Sequence, residues 1–252
     1  MLSSWLSLVC TPAFLWAWIG LAVVTAISLT RITAPYGRHG RPGWGPLVGA
    51  RAAWFWMEIS ALIGFSLCIW VGGLRSPHAL LIACVYGGHY VYRSLIYPLL
   101  TSSGAAPASV WVVVMAFVFN VINSSILGGW AFVVGPDTAL DGVDILGLAL
   151  VLAGFLSHVR ADAMLRGLRQ RLGPGYHIPH GGMYRFVSCP NYLGELIQWL
   201  GLALMMDALA GWSFFVWTAA NLVPRAIKHH AWYRARFEDY PPHRKAILPG
   251  LL

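Results

Sequence analysis

Arg225, His229 and Tyr233 stand at i, i+4 and i+8, just after an apolar run ends at Pro224. On a helix they share one face, so a cation, an imidazole and a phenol meet where a membrane helix reaches water. Such a face binds a ligand. Two more polar faces of the same kind follow from spacing. His158, Asp162, Arg166 and Arg169 fall at i, i+4, i+8 and i+11, and Asn191 and Glu195 at i, i+4 with Trp199 further along the same face. Amides, carboxylates, arginines, a histidine and tyrosines together suit a large polar ligand carrying phosphates. Lipid headgroups would account for Arg166 and Arg171 alone. They would not account for Asp162, since an acid gains nothing from anionic headgroups.

Glu58 poses a different question. It lies in WFWMEIS, about seven residues into an apolar span and so roughly 10 Å deep at about 1.5 Å per residue. A carboxyl at that depth costs at least a few kcal/mol and usually has a functional reason. In the next span His89, Tyr90, Arg93 and Tyr97 make a polar stripe, and if that helix runs back, Tyr90 returns to the depth of Glu58. A hydrogen bond that merely pairs helices would also explain one such contact. The convergence of so many ionisable groups favours a site.

These residues need a membrane bundle to position them. The chain has 252 residues, 58% hydrophobic and 10% charged, with a mean hydropathy of +0.65, outside the range of a soluble domain. Backbone groups left unpaired in hydrocarbon are costly, and the apolar runs are about 20 residues long without alternation, so the spans are expected to be helices in a single integral membrane domain. We place seven, at 7–30, 52–73, 78–100, 108–134, 143–165, 191–209 and 211–225. The first has neither a basic start nor a cleavage site and reads as a true span. Arg31, Arg38, Arg41 and Arg51 follow the first span, Arg160, Arg166, Arg169, Arg171 and Arg185 end or follow the fifth, and more cations follow the seventh, whereas acids dominate the opposite loops. That alternation puts the N-terminus outside and the C-terminus in the cytoplasm. The net charge of +8 reports this bias and implies no nucleic-acid partner. Arginine far outnumbers lysine, which suits a GC-rich bacterial genome. No obligate protein partner is evident.

Several sites are excluded. No GxGxxG follows a strand, there is no P-loop, and no strand alternation occurs anywhere. Cys10, Cys68, Cys84 and Cys189 show no CxxC spacing and are expected to be buried small hydrophobes. His177 and His180 lack a third ligand at suitable spacing, so no metal is expected. Gly181 and Gly182 suggest a turn or a loop whose backbone approaches something closely.

At this point the chain resembles the steroid 5-alpha-reductase family. The similarity is dense in RADAMLRGLR, GYHIPHGGMYRFVSCPNYLGELIQWLG and PRAIKHHAWYRARFEDYPPHRKAILPGLL, and sparser in GARAAWFWMEIS and HYVYRSLIYPLL. The resemblance implies a bacterial, seven-span reductase of the inner membrane that uses NADPH, or one of the endoplasmic reticulum if the source is eukaryotic. Residues 1–105 would build mainly the substrate pocket, and residues 143–252 would hold the cofactor. Glu58 and Tyr90 would hydrogen-bond the 3-oxo group of a 4-ene steroid. Asp162, Arg169, Tyr176, Asn191, Glu195, Arg225, His229 and Tyr233 would hold the dinucleotide, with Trp54, Tyr97, His158 and Trp199 lining it. Three features depart from the family. Met57 stands where relatives commonly have Gln, His158 where they often have Asn, and the loop TSSGAAPAS lacks arginines that steroid-reducing relatives carry there.

The implied chemistry agrees with the residue types. A conjugated ketone accepts hydride at its beta carbon while negative charge develops on oxygen, and donors aimed at that oxygen stabilise the transition state more than the ground state. Tyr90 can donate directly, whereas Glu58 donates only when protonated. Two other activities fit the same motifs: reduction of another lipid double bond, of enoyl-CoA or polyprenol type, and SAM-dependent membrane methyl transfer.

Overall fold

The structure, a computed structural model, describes residues 1–32, 43–101, 105–173 and 175–252. Arg38 and Arg41, most of the Gly/Pro-rich link between the first two expected spans, and residues 102–104 of the uncharged loop lie outside them. The described chain is helical: α1 (Leu2–Val9), α2 (Pro12–Arg31), α3 (Ala50–Gly72), α4 (Pro77–Leu100), α5 (Val110–Val134), α6 (Gly142–Leu172), α7 (Pro190–Met206) and α8 (Leu209–Arg236). The expected absence of strands holds but for one small ladder, in which β1 (Leu47–Val48) pairs antiparallel with β2 (Ala108–Ser109).

Helix starts follow local chemistry. Thr11 and Ser76 cap α2 and α4 by accepting from Phe14 and Ala79 N–H, each followed by a proline whose missing N–H costs nothing there. Asp141 and Asp144 form a reciprocal capping box at the start of α6. Inside α4 the spacing changes. Pro98 has no N–H to continue the ladder, and Tyr92–Ile96 widen into a π-turn in which Tyr97 N–H reaches Tyr92 O.

Among the described residues five helices, α2 to α6, are long and apolar enough to cross a membrane. The expected seven spans map onto this imperfectly. The first breaks at Cys10 and Thr11 into a short α1 and a full-length α2. The sixth corresponds to α7, which has 17 residues and ends at Met206, with Asp207 turning left-handed at φ 41°. The seventh corresponds to α8, which continues to Arg236 through Pro224 and so carries its cations within one helix of 28 residues. Large side chains including Trp16, Val24, Ile145 and Leu152 are exposed on α2 and α6, the pattern of faces that meet lipid rather than water.

The closest helix pair is α6 with α7. A Cβ on Gly154 would collide with Gly194 O at 2.5 Å and with Gln198 N, and one on Gly194 would lie 2.6 Å from His158 N. Gly147 and Gly201 repeat the contact one heptad away, at 2.7 Å from Gly201 O for the former. In lipid, where apolar burial does not drive helices together, such small residues let backbones approach. Gly64 against Ser124 and Gly128 against Cys68 do the same for α3 and α5. The core between these layers holds Phe65, Tyr86, Trp199, Leu202 and Phe214. Of the cysteines, Cys10, Cys68 and Cys189 are buried as expected, but Cys84 faces outward on α4, and no disulfide joins any of the four.

Candidate active site

Glu58 on α3 meets α4 as its spacing predicted, but the residue that holds it is Arg93. Arg93 Nη2 donates to Glu58 Oε1 at 2.9 Å, with both side chains largely buried. The guanidinium carbon lies 4.5 Å from the Trp54 ring centroid and 4.9 Å from that of Tyr97, and those rings meet edge-on at 5.1 Å. Arg93 is thus fixed by a carboxylate and two aromatic faces. Tyr90 is 4% exposed and packs against the rings of Tyr86 and Trp199, close enough to Glu58 for their charges to interact. Arg93 stood in the predicted polar stripe without a role of its own. Its position on the α4 face, one turn from Tyr90, was the available signal. Beside it, Met57 offers only its backbone, with Asn120 Nδ2 donating to Met57 O at 2.7 Å.

The polar faces of α6 and α7 do converge. Asn191 Nδ2 donates to Asp162 Oδ1 at 3.0 Å. His158, 1% exposed, places Nδ1 3.3 Å from Glu195 Oε1 and Nε2 3.8 Å from Asp162 Oδ2, yet neither nitrogen has a hydrogen-bond partner. The glycine seam produces this arrangement, because Gly154 and Gly194 bring His158 and Glu195 to the same level. Arg166 links the two clusters. Its guanidinium carbon is 5.8 Å from the Tyr97 centroid and its buried Nη1 has no partner. Arg169, Tyr176, His177 and Tyr233, with Leu165, Leu168 and Gly175, line a small hollow. Among the described residues the His158 nitrogens and Arg166 Nη1 lack a hydrogen-bond partner, which a phosphate-bearing, amide-rich ligand would supply. The residues fit a nicotinamide dinucleotide.

Three further residues expected at the cofactor have these neighbours. Trp199 is 3% exposed and packs against His89 and Phe214, 4.5 and 4.9 Å between centroids. His89 is buried as well, and Gln198 Nε2 lies 2.9 Å from its Nδ1. His229 lies beside Tyr192 and Cys189, with Nδ1 3.8 Å from Cys189 Sγ, and Arg225 is half-buried one turn earlier on α8.

The C-terminal segment pairs with the loop that leads into α7. Val187 and Lys245 form a parallel bridge, and Ser188 and Cys189 N–H donate to Lys245 O and Ala246 O. Ser188 Oγ gathers three partners: His230 Nδ1 at 2.6 Å, Tyr240 OH at 2.6 Å and Lys245 O at 3.1 Å. Tyr240 stacks on Tyr233 with centroids 5.3 Å apart, so Ser188 supports the hollow's wall from behind. Ser188→Ala is expected to raise the KM for the dinucleotide about three- to tenfold while kcat changes little, read by steady-state kinetics. Burial, with help from Arg234 and Lys245, holds the His230 imidazole below its usual range. Unfolded histidine takes up its proton near pH ~6.5, before His230 does in the folded chain. Stability is therefore expected to fall as pH drops below about 6.5, and thermal melts between pH 7 and 5 in wild type and His230→Gln check this.

The 3-oxo-5-alpha-steroid 4-dehydrogenase family pattern matches residues 106–252. Steroid 5-alpha-reductase DET2 of Gossypium hirsutum is 38% identical over 241 residues, covering 91% of this chain and 92% of its own. The Arabidopsis thaliana protein of the same name is 39% identical over 89% of this chain and 90% of its own. The 3-oxo-5-alpha-steroid 4-dehydrogenase 1 of Bos taurus is 36% identical over 92% of this chain and 93% of its own. The chain belongs to the steroid 5-alpha-reductase family, a multi-pass membrane oxidoreductase acting on a CH–CH bond. That membership displaces the methyltransferase alternative. These relatives are plant and mammalian, and they lend no support to a bacterial source or a bacterial inner membrane.

Proposed function

We propose that the chain reduces the 4,5 double bond of 3-oxo-4-ene steroids to 5-alpha-3-oxosteroids with NADPH. The observation that carries this reading is the buried Glu58–Arg93 pair beside Tyr90, a costly polar group in lipid that suits the polar atom of an apolar substrate. NADPH, when bound, supplies the hydride that C5 accepts. Tyr90 donates its O–H to the C3 oxygen, where enolate charge gathers, and Glu58 with its arginine completes the polar end of the pocket. C4 then takes a proton to give the saturated ketone. The rings of Trp54, Tyr86 and Trp199 exclude water from that end.

Asp162, Arg169, Tyr176, Asn191, Glu195, Arg225, His229 and Tyr233 are proposed to hold the dinucleotide, with Trp54, Tyr97 and His158 lining it. Residues 1–105 would then serve mainly the steroid and residues 143–252 the cofactor. We further propose a topology of seven spans, with the N-terminus outside and the C-terminus cytoplasmic, supported by the arginine-rich ends of α6 and α8. The test is purified protein with NADPH and progesterone or testosterone, followed by mass spectrometry. Appearance of the saturated 5-alpha ketone is expected. Oxidation of NADPH only with an enoyl-CoA or polyprenol lipid would replace the steroid reading.

A further inference from the structure

Treating Glu58 as an isolated acid beside Tyr90 leaves Arg93 without a task. Yet Arg93 is 9% exposed, bonded to Glu58 Oε1 at 2.9 Å and held between Trp54 and Tyr97 at 4.5 and 4.9 Å. Three carboxylates on three other helices face it: Glu58 on α3, Asp162 on α6 and Glu195 on α7. Only Glu58 reaches it with a hydrogen bond. From the carboxylate's side the facing groups are Arg93, Glu195, Asn120 and Tyr90. A bare carboxylate among these would repel the negative charge that builds on a ketone oxygen next to it. With a guanidinium bound to one of its oxygens, that repulsion is offset, and the second oxygen remains for another partner.

The backbone supports the same conclusion. Arg93 lies within the π-turn Tyr92–Ile96, and Ser94 Oγ occupies Tyr90 O at 2.5 Å. Such wide turns recur where a side chain must be re-aimed. Here the turn carries Arg93 itself and lies immediately after Tyr90.

We propose that Arg93 is the positioning residue of the ketone site. Its guanidinium, pinned on Trp54 and Tyr97, fixes the Glu58 carboxyl toward Tyr90 and balances its charge while the substrate oxygen becomes negative. This rests on the ketone-site reading above. Because Arg93 acts through Glu58, its loss changes turnover rather than steroid capture. Moreover, its effect disappears once Glu58 is already neutral.

The test is a double-mutant cycle on the full-length protein in detergent or nanodiscs, with NADPH and progesterone, and with thermal melts to confirm folding. Arg93→Gln is expected to lower kcat 30-fold or more while the steroid KM stays within threefold. Glu58→Gln/Arg93→Gln is expected to be no slower than Arg93→Gln alone. Arg93→Lys, which keeps the charge without the two-ring stack or the fork, is expected to recover part of the rate, to about tenfold below wild type. Arg93→Gln within threefold of wild-type kcat would overturn the inference, and so would a double variant whose loss equals the product of the single losses. If Arg93→Gln does not fold, Arg93→Lys decides: a tenfold loss with unaltered melting supports the role, and wild-type kcat sinks it. The parent reading fails separately. Glu58→Ala at wild-type rate removes the ketone site and this inference with it, whereas an impaired Glu58→Ala beside an unimpaired Arg93→Gln removes only the inference.

Discussion

Tyr90→Phe is expected to lower kcat for steroid reduction about 100- to 1,000-fold, the loss seen when one donor to a developing oxyanion is deleted from a preorganised site. The substitution removes one oxygen and leaves the ring, which packs between Tyr86 and Trp199 at 4.5 and 6.2 Å, so the fold is expected to survive. Glu58→Ala is expected to lose comparable activity for two reasons. It deletes a group at the ketone, and it strands Arg93 in a buried site with its hydrogen-bonded counter-charge gone, which costs about 3–5 kcal/mol of stability for a broken buried pair. Glu58→Gln retains an oxygen that accepts from Arg93 Nη2 and an amide that can donate to the ketone, so partial activity is expected. The order Glu58→Gln, then Tyr90→Phe and Glu58→Ala, measured as kcat beside melting temperature, checks the assignment. A Tyr90→Phe enzyme at wild-type rate would remove Tyr90 from the mechanism.

The difference between Glu58 as expected and Glu58 as found explains what a sequence makes legible. Helical periodicity and the expense of charge in lipid were enough to bring α3 and α4 together at Glu58 and Tyr90, and the i, i+4 rule correctly grouped His158, Asp162, Asn191 and Glu195. Arg93 stood on the same predicted stripe, but spacing does not say which member of a stripe faces a given partner on the next helix. Spacing put Trp199 on the face of Asn191 and Glu195, but it does not encode how deeply that level of α7 is buried, and there the ring is 3% exposed. Span boundaries were less legible where charge and apolar length disagree. Within α8, Pro224 does not stop the helix, and Leu209–Arg236 run from core residues to cations without a break. The Ser188 contacts to His230 and Tyr240 could not be read at all, since they join residues 42 and 52 positions apart through a loop.

The seam of α6 and α7 carries the second large effect. Gly194→Ala places a methyl group 2.6 Å from His158 N and 2.7 Å from Gly154 O, and neither is a side chain that can swing away. The helices must separate. Overpacking of this kind costs roughly 1–3 kcal/mol, and more where backbone cannot yield, which for a chain of this size corresponds to roughly 2–4 °C of melting temperature per kcal/mol. The larger consequence is geometric. His158 and Asp162 on α6 meet Glu195 and Asn191 on α7 because Gly154 and Gly194 let the two backbones touch, so a shift of about 1 Å parts the imidazole from Glu195 and Asp162 from Asn191. Misplacement on that scale can cost about 100-fold in rate. Gly194→Ala is therefore expected to weaken dinucleotide binding and activity well beyond its loss of stability, whereas alanine at Gly167 on the same α6, where a Cβ meets nothing within 4 Å, is expected to leave both unchanged. Fluorescence titration of the dinucleotide alongside melting curves separates the two effects. If Gly194→Ala melted lower yet bound cofactor like wild type, the α6–α7 seam would be a packing device with no part in shaping the site.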